Sequence, residues 1–331
     1  MRPRPRAGHR RRRQVAALVA ALVATTIAAT ACDDGSSSAG RAATRDTTTT
    51  TATTAAAAAP DCGNPVASFA PLNPMPAPED MPSGSFMAAI QQRGRLIAGV
   101  SADTLLFGYF NPLTGKLEGF DIDLIRQLSQ AIFGSPDRVE YKVLTYAQRI
   151  PSLLDGSVDI VADVMTVNCE RWAQISFSSQ YFDAGQKILV RTDSPVTDIS
   201  QLKGKRMCAA RGSTNIDNLK NYPDVIVVPV DDISDCMVLF QQGTVDSVTG
   251  DDTVLAGFVA QDPYAKIVGS ALTSEPYGLG VAKTHPEFVR FVNGVLADLR
   301  DNGTWTQMYR TWLRPTGAVP DPPVAVYGRT P

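Results

Sequence analysis

The cysteines and histidines limit the chemistry open to this chain. Its 331 residues contain five cysteines and two histidines. No two cysteines form a CxxC pair, and no cysteine and histidine have the spacing of a zinc or redox site. His9 falls in a basic N-terminal run, so a histidine-based metal site or a Ser-His-Asp triad would depend on His285 alone. We therefore predict no metal and no cofactor.

Polar side chains at the ends of two predicted strands indicate a small-molecule site instead. Asp163 ends one apolar segment and Thr166 follows it, while Asp251 follows the end of another. In open α/β sheets, ligands bind beyond the carboxyl ends of the strands. Two lobes with such edges would enclose a cleft, which is where small molecules usually bind.

Two similar units position these strand ends. Residues 93–100 (RGRLIAGV) match 203–210 (KGKRMCAA), and residues 154–160 (LDGSVDI) match 242–248 (QGTVDSV). The first pair reads as a basic turn that leads into a strand, and the second as a helix with a glycine C-cap before a strand. The pattern predicts two α/β units, at about 93–190 and 192–275. Helices are predicted at residues 121–133, 146–155, 215–221, 234–242, 252–261, 286–301 and 304–313.

The N-terminal sixty residues are typical of export and tethering. A basic run precedes seventeen uncharged residues, 15–31, and the sequence ATAC then resembles a bacterial lipobox. We predict a signal peptide at 1–31 and lipidation of Cys32, which would anchor the protein on the extracytoplasmic face of the cell membrane. An uncleaved anchor and plain secretion are the alternatives. Residues 32–85, rich in Ser, Thr, Ala and Pro, are predicted to be a disordered tether.

Charge and the remaining cysteines agree with export. Without residues 1–31 the chain has 24 Lys and Arg against 33 Asp and Glu, a net charge of −9 that argues against nucleic acid as a partner. Four cysteines remain after Cys32, an even number that predicts two disulfides outside the cytosol, with three connectivities open.

A series of motifs resembles the family 3 bacterial solute-binding proteins. The motifs are GFDIDL at 119–124, Thr166 with Arg171, FS at 177–178, GST at 212–214, VD at 245–246 with Asp251, and NGTW at 302–305. They occur in order over residues 93–313, and the chain looks most similar to actinobacterial glutamate-binding lipoproteins. The resemblance implies an α/β, two-lobed periplasmic-binding-protein type II fold with a ligand cleft between the lobes. We expect lobe 1 at 86–191 and 276–315, lobe 2 at 192–275, and a C-terminal tail at 316–331.

The resemblance also implies how the ligand is recognised. Arg171 matches the arginine that clamps the α-carboxylate with two parallel hydrogen bonds. Thr166 and Thr214 match positions that add hydroxyl and backbone N–H donors, and Asp251 matches the carboxylate that takes the α-ammonium. Trp305, Tyr309 and Trp312 are expected to pack rather than bind.

Two further positions concern the ligand side chain. Arg149 matches an arginine that contacts the distal carboxylate in binders of acidic amino acids, although it could instead pair near its own helix. Phe107 falls near an aromatic that covers the ligand, although it could equally belong to the core. Ser101 replaces an aspartate common in binders of basic amino acids, which disfavours lysine and arginine as ligands.

Within this two-lobed fold, one disulfide pairing keeps each bridge inside a lobe. Cys208 lies on the first strand of lobe 2, and Cys236 opens a helix expected to pack over it. We therefore predict a Cys208–Cys236 disulfide, and a Cys62–Cys169 disulfide that ties the N-terminal segment to lobe 1. Neither bridge would oppose closure of the cleft.

The sequence thus predicts a monomeric binding protein for glutamate or aspartate that serves an ABC permease or a membrane sensor, and not an enzyme. Glutamine or asparagine is the alternative ligand. A periplasmic dehydratase on the same fold is the alternative of another class, and it would depend on Asp163 and Asp251 as acid or base. No P-loop motif occurs, so an ATPase would be a separate polypeptide.

Overall fold

The computed structural model describes residues 61–314 and 317–331. The predicted signal peptide and the predicted lipidation site, Cys32, lie outside these residues. Within the described part of the chain, no helix is long and apolar enough to cross a membrane. Asp61 to Pro331 fall in one compact unit, which contains both predicted lobes.

The first lobe is built on a five-stranded sheet. Its strands are β2 (Leu96–Val100), β6 (Val139–Val143), β7 (Ile160–Ala162), β8 (Ser176–Phe177) and β15 (Gly280–Val281). The strand order is β6-β2-β7-β15-β8, with β2 parallel to β6 and β7 and with β15 antiparallel to its neighbours. A smaller sheet joins β3 (Asp103–Thr104), β4 (Gly108–Asn111) and β5 (Lys116–Glu118).

Six helices belong to the first lobe: α1 (Phe86–Arg93), α2 (Phe120–Phe133), α3 (Arg149–Leu154), α4 (Cys169–Trp172), α8 (Pro286–Asp301) and α9 (Thr304–Trp312). The N-cap of helix α2 is Gly119, whose φ is +136°. A Cβ at this glycine would lie 2.1 Å from the carbonyl oxygen of Phe107, so no larger residue fits. The C-cap is Gly134, in the left-handed conformation. Helices α1 and α4 were not among the predicted helices.

The second lobe contains a six-stranded sheet. The strands are β9 (Phe182–Arg191), β10 (Arg206–Ala210), β11 (Ile226–Val230), β12 (Ser247–Asp251), β13 (Ala265–Val268) and β14 (Ser274–Tyr277). Their order is β11-β10-β12-β9-β13, and β14 also pairs with β9. The helices are α5 (Thr214–Asn218), α6 (Ile233–Gln241) and α7 (Asp252–Gln261). All seven predicted helices are present, with ends that differ by a few residues.

Two antiparallel strands connect the lobes, and they shift the predicted boundary. Strand β9 pairs with β12 and β13 of the second lobe, and its first half pairs with β14 from Phe182–Tyr277 to Gly185–Ser274. The second lobe therefore begins about ten residues before position 192, inside a segment assigned to lobe 1. The error arose because one continuous ten-residue strand serves the connection and the sheet, with no break in composition.

The segments at both ends of the compact unit are ordered, contrary to the predicted tether to residue 85 and tail at 316–331. Strand β1 (Ala67–Phe69) pairs in parallel with β16 (Val326–Arg329). Ser68 and Phe69 are buried, and the Asn293 side chain donates to the Ser68 Oγ at 2.9 Å. This non-local pairing stabilises two segments whose local composition is that of linkers.

Both predicted disulfides are present. Cys62 is bonded to Cys169, at the start of α4, and Cys208 on β10 is bonded to Cys236 on α6. Each bridge lies on one side of the cleft, so neither links the two lobes.

Candidate functional site

A small cavity of about 10 Å³ lies between the lobes, where the strands of both sheets end. It follows β7 of the first lobe and β12 of the second, as the strand-end argument predicted. The residues that line it come from both lobes and are mostly polar: Tyr146, Arg149, Val164, Thr166, Arg171, Ser213, Thr214, Asn215, Ile233, Gly250, Asp251 and Val254. Five of the six predicted ligand-binding residues are therefore brought together here.

Arg171 is held by the short helix α4. The Asn168 side chain caps this helix by accepting the Arg171 N–H at 2.9 Å. The Arg171 Nη1 donates to the Thr166 carbonyl at 2.7 Å, and its Nη2 donates across the cleft to the Gly212 carbonyl at 3.0 Å. A guanidinium has five N–H groups, so Arg171 retains three without an acceptor in the described chain. It can therefore still form a two-bond clamp with a carboxylate.

Arg149 is more fully used by the protein. Its Nε donates to the Tyr146 carbonyl at 3.0 Å, its Nη1 to the carbonyls of Asp163 and Val164 at 2.7 and 3.5 Å, and its Nη2 to Gly212 at 3.1 Å. The guanidinium carbon also lies 4.4 Å from the centre of the Tyr146 ring. Within the described chain, only one of the five N–H groups remains for a ligand.

Two buried guanidiniums share one carbonyl, and this makes the site attractive to anions. Arg149 and Arg171 are 2% and 7% exposed, and both donate to Gly212. Burial, followed by the charge of Arg149, lowers the pKa of Arg171 to about 9. An anion bound between them would reduce this repulsion and replace the lost hydration.

Asp251 supplies the opposite charge from the second lobe. Its Oδ1 accepts from the Asn215 amide at 2.8 Å, and its Oδ2 accepts from the Tyr277 hydroxyl at 2.6 Å. Burial, and then the charge of Glu275, raises the pKa of Asp251 to about 7. A ligand cation at this position would stabilise the ionised carboxylate.

Glu275 is a residue that the sequence analysis missed. Its Oε2 accepts from the hydroxyls of Thr166 and Thr214 at 2.7 and 2.6 Å, and those two hydroxyl oxygens lie 3.2 Å apart. The two threonines belong to different lobes, so this buried carboxylate on β14 connects both sides of the cleft. In this geometry the threonine hydroxyls donate to Glu275, which differs from their predicted role as donors to the ligand. The available signal was an acidic residue at the predicted lobe boundary.

The cleft is closed by direct contacts in addition to the arginines. The Ser234 N–H of the second lobe donates to the Asp103 carboxylate of the first at 3.1 Å. Gly212 has a φ of +74°, and a Cβ there would lie 2.6 Å from the Cα of Ala147. Only glycine allows this approach of the two backbones.

Phe107 does not line the cavity, contrary to its predicted role as a cover for the ligand. Its side chain is fully buried and packs against Phe182 and Tyr277, with ring centres 5.1 and 5.8 Å away. The predicted alternative, a core residue, describes this position. The aromatic side chain that lines the cavity is Tyr146.

Two buried carboxyls lie behind Arg149. Asp121 accepts from the Val164 N–H and the Tyr181 hydroxyl, whereas neither carboxylate oxygen of Asp163 has a donor within the described chain. Burial is the main cause that raises the pKa of each to about 7.

The described residues contain no cluster of three or more His, Cys, Asp or Glu side chains suited to a metal.

Comparisons with known proteins agree with this architecture. A sequence profile described as "Bacterial extracellular solute-binding proteins, family 3" matches residues 96–315. The "ABC transporter glutamine-binding protein GlnH" of Bacillus subtilis is 32% identical over 69% of this chain and 84% of its own length. The "Glutamine-binding protein" of Geobacillus stearothermophilus is 39% identical over 59% and 75%. "Glutamate-binding protein GluB" of Corynebacterium glutamicum is 28% identical over 67% and 79%.

Solved structures show the same fold. Holo ArgBP from T. maritima matches with a TM-score of 0.62 and 32% identity, over 68% of this chain and 99% of that one. An ancestral arginine-binding protein bound to glutamine matches with a TM-score of 0.63 and 35% identity, over 66% and 98%. These neighbours are two-lobed amino-acid-binding proteins, as the strand topology of this chain indicates.

Proposed function

The chain belongs to the bacterial extracellular solute-binding proteins of family 3, and from that premise we propose that it captures glutamate or aspartate in the cleft. It is an amino-acid-binding protein of ABC transport and not an enzyme. This excludes the dehydratase alternative. The choice of amino acid is our proposal, and the observation that carries it is the pair of buried arginines that face Asp251 across one cavity.

The α-groups of an amino acid fit the charges at one end of the cavity. Arg171 retains enough N–H donors to clamp a carboxylate, and Asp251 offers a buried anion for the ammonium. Because these residues come from different lobes, a ligand between them favours the closed arrangement. Lysine or arginine would add a second cation near Arg149, which disfavours basic ligands.

Arg149 supports an acidic ligand at the other end. A distal carboxylate would lie near a second buried guanidinium, whose charge favours an anion. The ligand would then carry two anions and one cation, matched by two arginines and Asp251.

Glutamine is a second candidate, favoured by two observations. Two relatives that are 32% and 39% identical are named as glutamine-binding proteins. Arg149 also has a single N–H left for a ligand, and either an amide oxygen or a carboxylate oxygen can accept one hydrogen bond from it. The two candidates therefore differ at Arg149 only in the charge of the ligand side chain.

Calorimetry with L-glutamate, L-aspartate, L-glutamine and L-asparagine tests the proposal. We expect the acidic pair to bind more tightly than the amides. Arg149→Met should lower the preference for glutamate over glutamine by about tenfold, since only glutamate loses a charge–charge attraction, of about 1–4 kcal/mol at a separation of ~4 Å. Both affinities should also fall, because Arg149 holds the Gly212 carbonyl across the cleft. Tighter binding of glutamine by the wild type would select the second candidate.

The partner and the anchor are proposals that concern residues or proteins outside the described structure. We expect an ABC permease to receive the ligand, with a membrane sensor as the alternative. Loss of labelled amino-acid uptake in a deletion strain would support the permease, and intact uptake would favour the sensor.

For the anchor, Cys32→Ala should abolish acylation and release the protein from the membrane fraction. Unchanged acylation and fractionation would contradict lipidation at Cys32.

A further inference from the structure

Helix α4, which carries Arg171, is too short to hold its own position. It spans four residues, Cys169–Trp172, and isolated helices below about 12 residues are marginal in water. A binding guanidinium must nevertheless be held within about 0.5 Å of its productive position. Contacts from outside the helix must therefore supply that rigidity.

Residues 62–69 and 326–329, which we call the terminal clasp, contact both ends of α4. Cys62 is disulfide-bonded to Cys169, the first residue of the helix. The indole N–H of Trp172, the last residue of the helix, donates to the Pro65 carbonyl at 2.7 Å. Arg171 lies between these two attachments and faces the cavity.

Arg329 joins the two strands of the clasp to the helix. Its guanidinium donates to the carbonyls of Ala67, Asn64 and Cys62 at 2.7, 3.1 and 3.1 Å. The guanidinium carbon also lies 4.1 Å from the centre of the Trp172 ring. The parallel pairing of β1 with β16 holds Arg329 in register with these acceptors.

We propose that the terminal clasp is a positioning device for Arg171, and that it sets the affinity of the site for the α-carboxylate of an amino acid. The inference rests on the proposed function and extends it to residues outside the cavity. None of the clasp residues is among the described residues that line the cavity. They fix both ends of the helix from which the guanidinium projects, so that two parallel hydrogen bonds can form without reorganisation.

The second disulfide provides a matched control. Cys208–Cys236 joins β10 to α6 inside the second lobe, whereas α4 belongs to the first. Removing either bridge should lower the melting temperature, because each constrains the unfolded chain. Only removal of Cys62–Cys169 should change recognition of the α-carboxylate.

The test compares a free amino acid with its α-amide, since an α-carboxamide cannot accept two parallel bonds from Arg171. Calorimetry would use whichever of L-glutamate and L-glutamine the wild type binds more tightly, with L-isoglutamine or L-glutaminamide as the matching amide. The proteins are the wild type, Cys62→Ala/Cys169→Ala, Cys208→Ala/Cys236→Ala, and Arg329→Gln, which keeps both disulfides.

We expect the preference for the free acid to fall by about 10- to 100-fold without Cys62–Cys169, the range of one charge-assisted hydrogen bond. A smaller fall is expected in Arg329→Gln, and no change in Cys208→Ala/Cys236→Ala. A lower melting temperature with an unchanged preference in both clasp variants would overturn the proposal and leave the clasp a purely stabilising element. If the wild type bound none of L-glutamate, L-aspartate, L-glutamine and L-asparagine, the proposed function would fail before the clasp is considered.

Discussion

Arg171 and Arg149 lie on two short helices of the first lobe, and both donate to the Gly212 carbonyl across the cleft. The Arg171 guanidinium makes one other described hydrogen bond, to the Thr166 carbonyl, whereas the Arg149 guanidinium makes three, to carbonyls of its own lobe. The end of the cavity at Arg171 is therefore open to a ligand. The end at Arg149 is already largely satisfied by the protein.

This difference separates general recognition from selectivity. A residue with free donors can bind the α-carboxylate that every amino acid carries, and Asp251 complements it with the opposite charge. A residue that also supports the backbone cannot change without affecting the fold. We infer that the Arg171 end determines whether an amino acid binds, and that the Arg149 end modulates which one.

The largest effect is expected at Arg171. Arg171→Ala should weaken every amino-acid ligand by roughly 2–5 kcal/mol, because the bound carboxylate would lose its buried partner. Calorimetry with glutamate and glutamine measures this loss, and both should fall together. Arg211→Ala is a matched control, since Arg211 adjoins Gly212 but its side chain is half exposed and pairs with Asp231. Retained binding in Arg171→Ala would contradict the inference that the Arg171 end determines whether an amino acid binds.

The next effect concerns the carbonyl that both arginines share. Gly212→Ala should place a Cβ 2.6 Å from the Cα of Ala147, so the cleft could not close fully. We expect a loss of about 1–3 kcal/mol in ligand affinity, the usual cost of overpacking. Gly204→Ala has a similar φ of +70° but open space around the added Cβ. It controls for backbone strain, and equal losses in the two variants would mean that strain, not closure, is the cause.

A pH series should distinguish the two lobes. Below about 7, the pKa of Asp251, its carboxyl is protonated and cannot pair with the ligand ammonium. Affinity should therefore rise as the pH approaches 7, by up to about tenfold per unit. Asp251→Asn should remove this slope, while Asp163→Asn, which removes another carboxyl with a pKa of about 7, should keep it. An unchanged slope in Asp251→Asn would contradict its role.

The free protein should show the opposite dependence in its stability. The carboxyls of Asp121, Asp163 and Asp251 have pKa values of about 7 in the fold against 3.8 ordinarily, chiefly because they are buried. Between pH 4 and 7, roughly, the folded state therefore binds more protons than the unfolded state. The contribution of these three carboxyls to the free energy of unfolding falls as the pH rises through this range. Thermal unfolding with and without ligand measures both trends.

The charged and covalent parts of the molecule were the most predictable from sequence. Arg171 and Asp251 have few chemical substitutes, and the motifs around them occur in a fixed order, so their convergence could be anticipated. The pairing of the four cysteines followed from keeping each bridge within a lobe. In these cases, the type of residue limits what it can do.

Features that depend on long-range packing were not predictable in the same way. The pairing of β1 with β16 joins segments that are far apart in the chain, and their Pro-rich or polar composition locally indicates linkers. Glu275 meets Thr166 and Thr214 only after both lobes fold and close. The continuous strand β9 likewise crosses from one lobe to the other without a local signal.

Phe107 should have the smallest effect on binding, and it sharpens the contrast with the residues that do line the cavity. An apolar aromatic suits a core and a ligand cover equally, so its sequence position did not decide its role. Phe107→Leu should cost about 1–3 kcal/mol of folding stability through imperfect packing against Phe182. Its affinity for amino acids should stay near that of the wild type.

Tyr146→Leu should weaken binding instead, because it changes an aromatic side chain that lines the cavity and lies against Arg149. Calorimetry and thermal unfolding of both variants separate these outcomes, and an affinity loss in Phe107→Leu as large as that in Tyr146→Leu would restore Phe107 to the site.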